Sequence, residues 1–338
     1  MDKNLLLTLN SKKIGLDVKG GELNFISHAH TDHSYALKDK VPIFCNDITA
    51  SLLNLDFSNN YGDSTIIKSS YSKKSPPIRI PIPQEMSLKN AGHILGSAQL
   101  VAQTKEFQTL VYTGDFKLRD GLTTKKGDLI QCDTLIMECT YGNPSVNFPN
   151  PNEVYAQMEN WHRQNKSSIQ LWGGYATGKA QELIKFLNDF TSQTPIVPPD
   201  VARISNKYIQ NGIKLDFIPS DTEEAKEIMR EEFTAVFPPN RLSKSFSWEI
   251  AKAHKKKTKV AIATGWTGIR NTTADISFPL SDHADFGELL LYAKESGAKK
   301  VYLAHGNNSA CANALKNEGI NAKEIDKIGQ KEIRQLIL

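Results

Sequence analysis

Short apolar runs broken by turn residues dominate the first 140 residues of the chain and predict strands at 5–9, 23–27, 100–103 and 109–113. A proline-rich stretch at 75–83 reads as a loop between them. The spacing then changes to a helical one. Val154, Met158 and Trp161 fall on one helical face, as do Ala180, Leu183, Ile184 and Leu187. A third helix is predicted over 222–233, with acidic residues in its first turn where the helix dipole favours them. Beyond a lysine cluster at 255–257, strands return at 260–264 and 275–278, followed by a helix over 284–296 and a strand at 301–304. Strands alternating with helices predict a layered α/β architecture. The switch near 145 and the return near 266 predict one domain interrupted by another, divided as 1–145, 146–265 and 266–338.

Composition narrows the class without naming a function. With 338 residues, the chain is long enough for about two domains and a substantial core. Its 41 basic and 37 acidic residues leave a net charge of +4, too mild to mark a nucleic-acid binder by charge alone, although compatible with a local basic groove. No apolar run approaches the length of about 18 residues that a transmembrane helix needs. Residues 1–20 lack the apolar core and cleavage site of a signal peptide. Cys45, Cys132, Cys139 and Cys311 form no CxxC pair, and they read as reduced thiols in a cytoplasmic protein.

The chemistry concentrates in the histidines. Of eight in the chain, three fall within Ser27-His28-Ala29-His30-Thr31-Asp32-His33. After a strand, alternate residues His28 and His30 can face one way and share a metal ion, while Asp32 and His33 can turn to the other side and begin a second site. Imidazole with carboxylate favours Zn²⁺, and Mn²⁺ and Fe fit the same donors. A polar surface turn is the bland alternative, and so dense a cluster of a scarce residue argues against it.

Weaker signals lie downstream. His93 sits in Ala91-Gly92-His93, Asp115 ends the apolar run Leu110-Val111-Tyr112, and His305 ends Val301-Tyr302-Leu303-Ala304. Each taken alone is equally a loop histidine or a solvated turn carboxylate; a ligand at the tip of a rigid strand is the sharper reading. Glu138 ends Thr134-Leu135-Ile136-Met137, and His283 lies in Ser281-Asp282-His283-Ala284-Asp285 before a helix. A histidine oriented by a carboxylate suits protonation of a leaving oxygen near neutral pH.

These elements, in this order, resemble the metallo-β-lactamase superfamily and, within it, the β-CASP nucleases. His28, His30, Asp32 and His33 match its signature, His93 its third motif and Asp115 its fourth. Glu138-Cys139-Thr140-Tyr141-Gly142, His283 and His305 look like the three β-CASP motifs, so the resemblance spans 27–306. It implies an α/β fold, the metallo-β-lactamase αββα sandwich, with a compact β-CASP α/β domain inserted. It also implies two zinc ions, one held by His28, His30 and His93, the other by Asp32, His33 and His305, with Asp115 bridging. Asp32, Glu138 and His283 are the implied catalytic residues. His162 and His254 are left without a role.

The short insert is similar to that of mRNA 3′-end processing factor-like and DNA-ligase-associated exonuclease-like members. The implied substrate is single-stranded RNA or DNA, acted on by a nuclease, and a homodimer is compatible with it. Histidine at the position of His305 accompanies RNA-acting members, whereas the ligase-associated type points to DNA. A small-molecule hydrolase such as a lactonase or thioesterase would explain the metal ligands but not Glu138, His283 or the insert. A non-catalytic binding subunit would not need all seven ligands. Gly173-x4-Gly178-Lys179 nearly spells a P-loop, but Ala180 stands where Mg²⁺ requires Ser or Thr.

Overall fold

In the computed structural model the described residues are 5–9, 12–38, 41–55, 65–68, 79–80, 85–103, 108–266, 274–306 and 308–325. Apart from 79–80, the predicted loop at 75–83 lies outside the described residues except where it borders them. The chain divides into two units: 1–120 with 125–147 and 283–338, and 121–124 with 148–282.

The first unit holds two six-stranded sheets. One runs in chain order from β1 (Leu6–Leu9) and β2 (Lys12–Leu16) through β3 (Leu23–Phe25) and β4 (Pro42–Cys45) to β5 (Thr65–Lys68) and β6 (Arg79–Ile80). The other contains β7 (Met86–Asn90), β8 (Ala98–Gln103), β9 (Thr109–Tyr112), β10 (Thr134–Cys139), β17 (Lys300–Gly306) and β18 (Ala322–Glu324), in the order β18-β17-β10-β9-β8-β7. Its β9, β10, β17 and β18 are parallel, so their tips point the same way.

Side-chain alternation assigns the layers. Ile136 of β10, Leu110 and Tyr112 of β9, and Tyr302 of β17 pack with Ile14, Leu16, Phe25 and Phe44 of the first sheet in one core. Their strand neighbours Leu135, Met137, Val111, Val301 and Leu303 turn the other way. There they meet Leu289 and Tyr292 of α7 (Phe286–Glu295) and Cys311 and Leu315 of α8 (Asn308–Asn317). Behind the first sheet, Ile26, Ile43 and Cys45 cover Ala50 of α1 (Asp47–Leu52). Helix, sheet, sheet, helix is the αββα sandwich, and strands buried on both faces explain why β10 is apolar throughout apart from Glu138.

The second unit is a parallel sheet in the order β13-β12-β14-β11-β15-β16. Its strands are β11 (Ile169–Gly173), β12 (Ile196–Val197), β13 (Ile218–Pro219), β14 (Thr234–Phe237), β15 (Thr258–Ala263) and β16 (Ile276–Phe278). Its helices are α2 (Pro151–Gln164), α3 (Lys179–Thr191), α4 (Pro199–Gln210), α5 (Glu223–Ile228) and α6 (Lys244–His254). Trp172 of β11 stacks on Phe278 of β16 and packs against Trp161 of α2 and Phe186 of α3. On the other face Leu171 and Ile262 pack with Ala225 of α5 and the partly buried Phe246 and Ile250 of α6.

Two predicted boundaries are corrected. Residues 266–282 stay with the second unit instead of returning to the first, because β16 pairs with β15 through Ala261↔Ile276 and Ala263↔Phe278. The helix predicted over 222–233 stops at Ile228, since Phe233 enters the core beside β14.

Candidate metal centre

β3 ends at Phe25, so His28 and His30 stand on the irregular segment beyond it rather than on alternating strand positions. They converge all the same. His28 Nε2 lies 3.0 Å from His30 Nδ1, and His93 Nε2 lies 3.1 Å from that same nitrogen. Asp115, just past the tip of β9, brings Oδ2 to 3.5 Å from His28 Nε2 and 3.8 Å from His93 Nε2. Two glycines make this approach possible. Gly92 has φ 77°, and a Cβ there would collide with the backbone of Gly127 and Lys117; Gly114 has φ 55°, and a Cβ would enter the Ser27 side chain.

A second group adjoins the first. Asp115, Glu138 and His283 bring ligand-type atoms within 4.8 Å of one another, as His28, His30, His93 and Asp115 do. Glu138, fully buried at the tip of β10, lies 3.1 and 3.0 Å by its two oxygens from His283 Nδ1, and it accepts from Phe116 N at 2.8 Å. A carboxylate only accepts, so Nδ1 carries the proton toward Glu138 and Nε2 is the ring atom left for chemistry. The His283 loop is fastened from several sides. Ala284 N donates to Phe116 O, the Arg119 guanidinium donates to His283 O, and Asp285 with Glu288 forms the capping box of α7.

The electrostatics favour a cation. Burial, with His33 and His93 beside it, holds the His28 imidazole well below the usual histidine range despite Asp115, so it is neutral with a lone pair to offer. Burial alone would raise the Asp115 carboxyl, but the His33 and His283 rings outweigh it and hold it well below the usual carboxylate range. Asp115 Oδ1 is buried without a hydrogen-bond partner. An ionised carboxylate with one oxygen left so, its other oxygen among imidazole nitrogens, fits a metal seat, and two or three imidazoles with a carboxylate are the donors Zn²⁺ takes. The residues present therefore fit the metal.

No family model matches the chain. Among curated proteins, a probable DNA ligase of Opitutus terrae is 29% identical over 92% of this chain and 29% of its own length. A probable RNase of Methanocaldococcus jannaschii is 32% identical over 55% of this chain and 50% of its own length. The 5′ exonuclease Apollo of Gallus gallus is 22% identical over 81% of the chain and 56% of its own length. The curated proteins this chain is similar to thus include nucleases, among them a probable RNase and a 5′ exonuclease. A crystal structure of an Enterococcus faecalis protein of unknown function shares the fold, with a TM-score of 0.56 at 13% identity over 89% of this chain and 78% of that one. The chain spans half or less of the first two relatives' lengths. Among the described residues no helix is long and apolar enough to cross a membrane.

The remaining predicted ligands are placed differently. Asp32 is exposed on its turn and joins neither group. His33 reaches Asp115 Oδ2 with Nε2 at 3.2 Å, while its Nδ1 meets Asp17 Oδ2 at 2.8 Å. Burial would lower the His33 pKa, but the Asp115 and Asp17 carboxylates prevail and raise it well above the usual range. The His305 ring lies 4.8 Å from that of His33 between centroids, with φ 53° and its Nε2 3.2 Å from the Tyr112 hydroxyl. Two histidines outside the signature are structural. His162 pairs with Gln170 at 2.9 Å, and His254 packs edge-on against Phe233.

Sequence reasoning missed Asp17. Its carboxylate accepts from Ser27 N, Ser27 Oγ, His33 Nδ1 and the Tyr112 hydroxyl, at 2.6 to 2.8 Å. Because the Ser27 hydroxyl proton goes to Asp17, the 2.9 Å contact between Ser27 Oγ and His28 Nδ1 is donated by the ring, leaving His28 Nε2 unprotonated toward the cluster. Asp17 thus selects, through Ser27, the tautomer that points the His28 lone pair at the seat. The available signal was an acid directly after β2, whose last three residues are buried.

Proposed function

We propose that this chain is a zinc-dependent nuclease that hydrolyses phosphodiester bonds of single-stranded nucleic acid, with RNA as the leading substrate. The observation that carries the reading is the His283–Glu138 pair set against Asp115 of the metal cluster, because a small-molecule hydrolase has no use for it. His28, His30, His93 and Asp115 would hold one ion, and His33 with Asp32 and His305 a second, with Asp115 shared. When bound, the metal supplies Lewis-acid charge for the phosphate oxygens and lowers the pKa of the attacking water.

The chain's own residues do the rest. Glu138 accepts the Nδ1 proton of His283 and fixes the ring, and its negative charge favours the protonated form. His283 then gives its Nε2 proton to the departing ester oxygen, so that an alcohol leaves instead of an alkoxide. Asp17 keeps the His28 and His33 rings turned inward. The second unit is read as the inserted β-CASP domain, Phe148–Asp282 with a short piece at Gly121–Thr124. Four buried free cysteines fit a cytoplasmic setting.

A second reading is a DNA exonuclease of the ligase-associated repair type. One observation favours it: the match to the probable DNA ligase runs over 92% of this chain, against 55% for the probable RNase.

The test is to quantify bound metal and then offer end-labelled single-stranded RNA and DNA, with Asp115→Ala as the control. About two zinc per chain with control-sensitive RNA cleavage supports the first reading. Cleavage of DNA alone supports the second. Cleavage that survives Asp115→Ala overturns both.

A further inference from the structure

The lysine-rich segment at the end of α6 is sorted by the structure into two kinds of charge. Lys256 is paired with Glu231 and Glu232 at 2.9 and 3.2 Å, and Lys259 with Asp275 at 3.1 Å. These hold the second unit together. Lys244, Lys252 and Lys255 form no ion pair among the described residues, and all three are exposed. At 100° per residue, positions 244, 248 and 252 fall within one quarter of the helix circumference, and Lys255 follows as the left-handed C-cap of α6. The residue at 248 is Trp248, whose side chain stays 62% exposed although Lys252 Nζ sits 5.0 Å from its ring centroid.

This face is not needed for packing. Phe246 and Ile250, on the opposite side of α6, make the contact with the unit's core. Glu249, exposed at the edge of the stripe, is the one acid that α6 carries. Three lysines without an ion pair among the described residues, one of them over the Trp248 ring, therefore accompany a large solvent-facing indole on a helix about 16 Å long. Lysines without counterions seek phosphates, and a flat exposed indole offers a face on which any base can stack.

We infer that this face of α6 binds a single strand of nucleic acid, Lys244, Lys252 and Lys255 contacting its phosphates and Trp248 stacking on a base. The assignment rests on the proposed nuclease reading for its polymer, and on charge complementarity and exposure for its place. The surface lies wholly within the second unit and is made of residues other than those of the metal centre.

The test uses the full chain with its metal and a single-stranded oligonucleotide of phosphorothioate backbone, which keeps its charge and resists hydrolysis. Affinity is followed by anisotropy across a salt series, with RNA and DNA strands as separate arms. Trp248→Ala should weaken binding about tenfold at fixed salt and leave the salt slope unchanged. The double change Lys244→Gln with Lys252→Gln should make the slope of log K against log salt shallower by about 1.4. A duplex of the same sequence should lose the dependence on Trp248.

Hydrolysis of bis(p-nitrophenyl) phosphate, which carries neither a run of phosphates nor a nucleobase for the helix face to hold, reports on the centre separately. It should be equal in all variants. If the unaltered chain fails to turn it over, the nuclease reading falls while the affinities still decide the helix face. Unchanged affinity and slope in the variants would overturn the inference. So would a change in sedimentation of Trp248→Ala without a change in affinity, which would make the face a contact between copies of the chain.

Discussion

Both units bury carboxylates against cationic groups, and they bring them to opposite ends. In the second unit Lys179 Nζ meets Glu182 Oε2 at 2.6 Å and Asp282 Oδ1 at 2.8 Å, and the Tyr155 hydroxyl donates to Glu182 Oε1 at 2.6 Å. Each charge there faces an opposite one at contact distance, which is how a low-dielectric interior tolerates ions. In the first unit imidazole nitrogens crowd to about the same separations, yet Asp115 Oδ1 stays buried without a partner. A network closed on itself is structural; one whose lone pairs converge on a common point asks for a ligand. The difference also disposes of the near P-loop. Lys179, the residue that would reach a phosphate, is spent on Glu182 and Asp282.

The comparison breaks most visibly at His283. Its side chain is partly exposed, and it is not among the four clustered ligands, so His283→Ala should lower turnover by about 10² to 10⁴-fold while zinc content and melting temperature stay as they were. Metal analysis beside single-turnover cleavage checks this; loss of zinc in the variant would make His283 a ligand instead of an acid. Next in size is Lys179→Met, which strands the buried Glu182 and the partly buried Asp282 and should cost about 3–5 kcal/mol in urea unfolding without altering metal content. Burial alone would lower the Lys179 pKa, but Asp282 and Glu182 overcome it and raise it. Its stabilisation is therefore complete below about pH 10 and declines as pH rises through the folded-state value, so the gap between wild type and variant should narrow only in strong alkali.

How much of this could be read from the chain follows from how each residue earns its place. His28 and His30 were legible because a metal demands scarce residue types at close spacing, whereas His93, far along the chain, gained weight only beside them. Glu138 was legible because a lone acid in the otherwise apolar β10 is costly unless it does something. Asp17 was not, since a single acid after β2 is locally the same as any turn carboxylate, and what distinguishes it is a hydroxyl from Tyr112, far along the chain. The same limit hid the end of the second unit. A three-residue strand such as β16 carries almost no periodicity, and only its pairing with β15 assigns Ile276–Phe278. Unpaired and paired lysines around 255 were likewise indistinguishable until Glu231, Glu232 and Asp275 were in place.

The smallest test is also the most controlled, because each network contains one buried tyrosine donating to one carboxylate. Tyr155 gives its proton to Glu182 at 2.6 Å and Tyr112 gives its own to Asp17 at 2.8 Å, and burial keeps both phenols protonated by raising their pKa values. Phenylalanine at either position removes one hydroxyl and little volume. Tyr155→Phe should lower unfolding stability by about 1.5–3 kcal/mol, the usual range for a hydrogen bond to a charged group, with metal affinity untouched. Tyr112→Phe removes a bond of the same kind and also the acceptor that faces His305 Nε2 at 3.2 Å, since the single hydroxyl proton is already given to Asp17. Its effect should therefore appear in the metal as well, as an affinity about 10-fold lower in competition with a chelator. Equal stability losses with equal metal affinities would mean that Asp17 serves the fold alone, and that the two networks differ less than their geometry says.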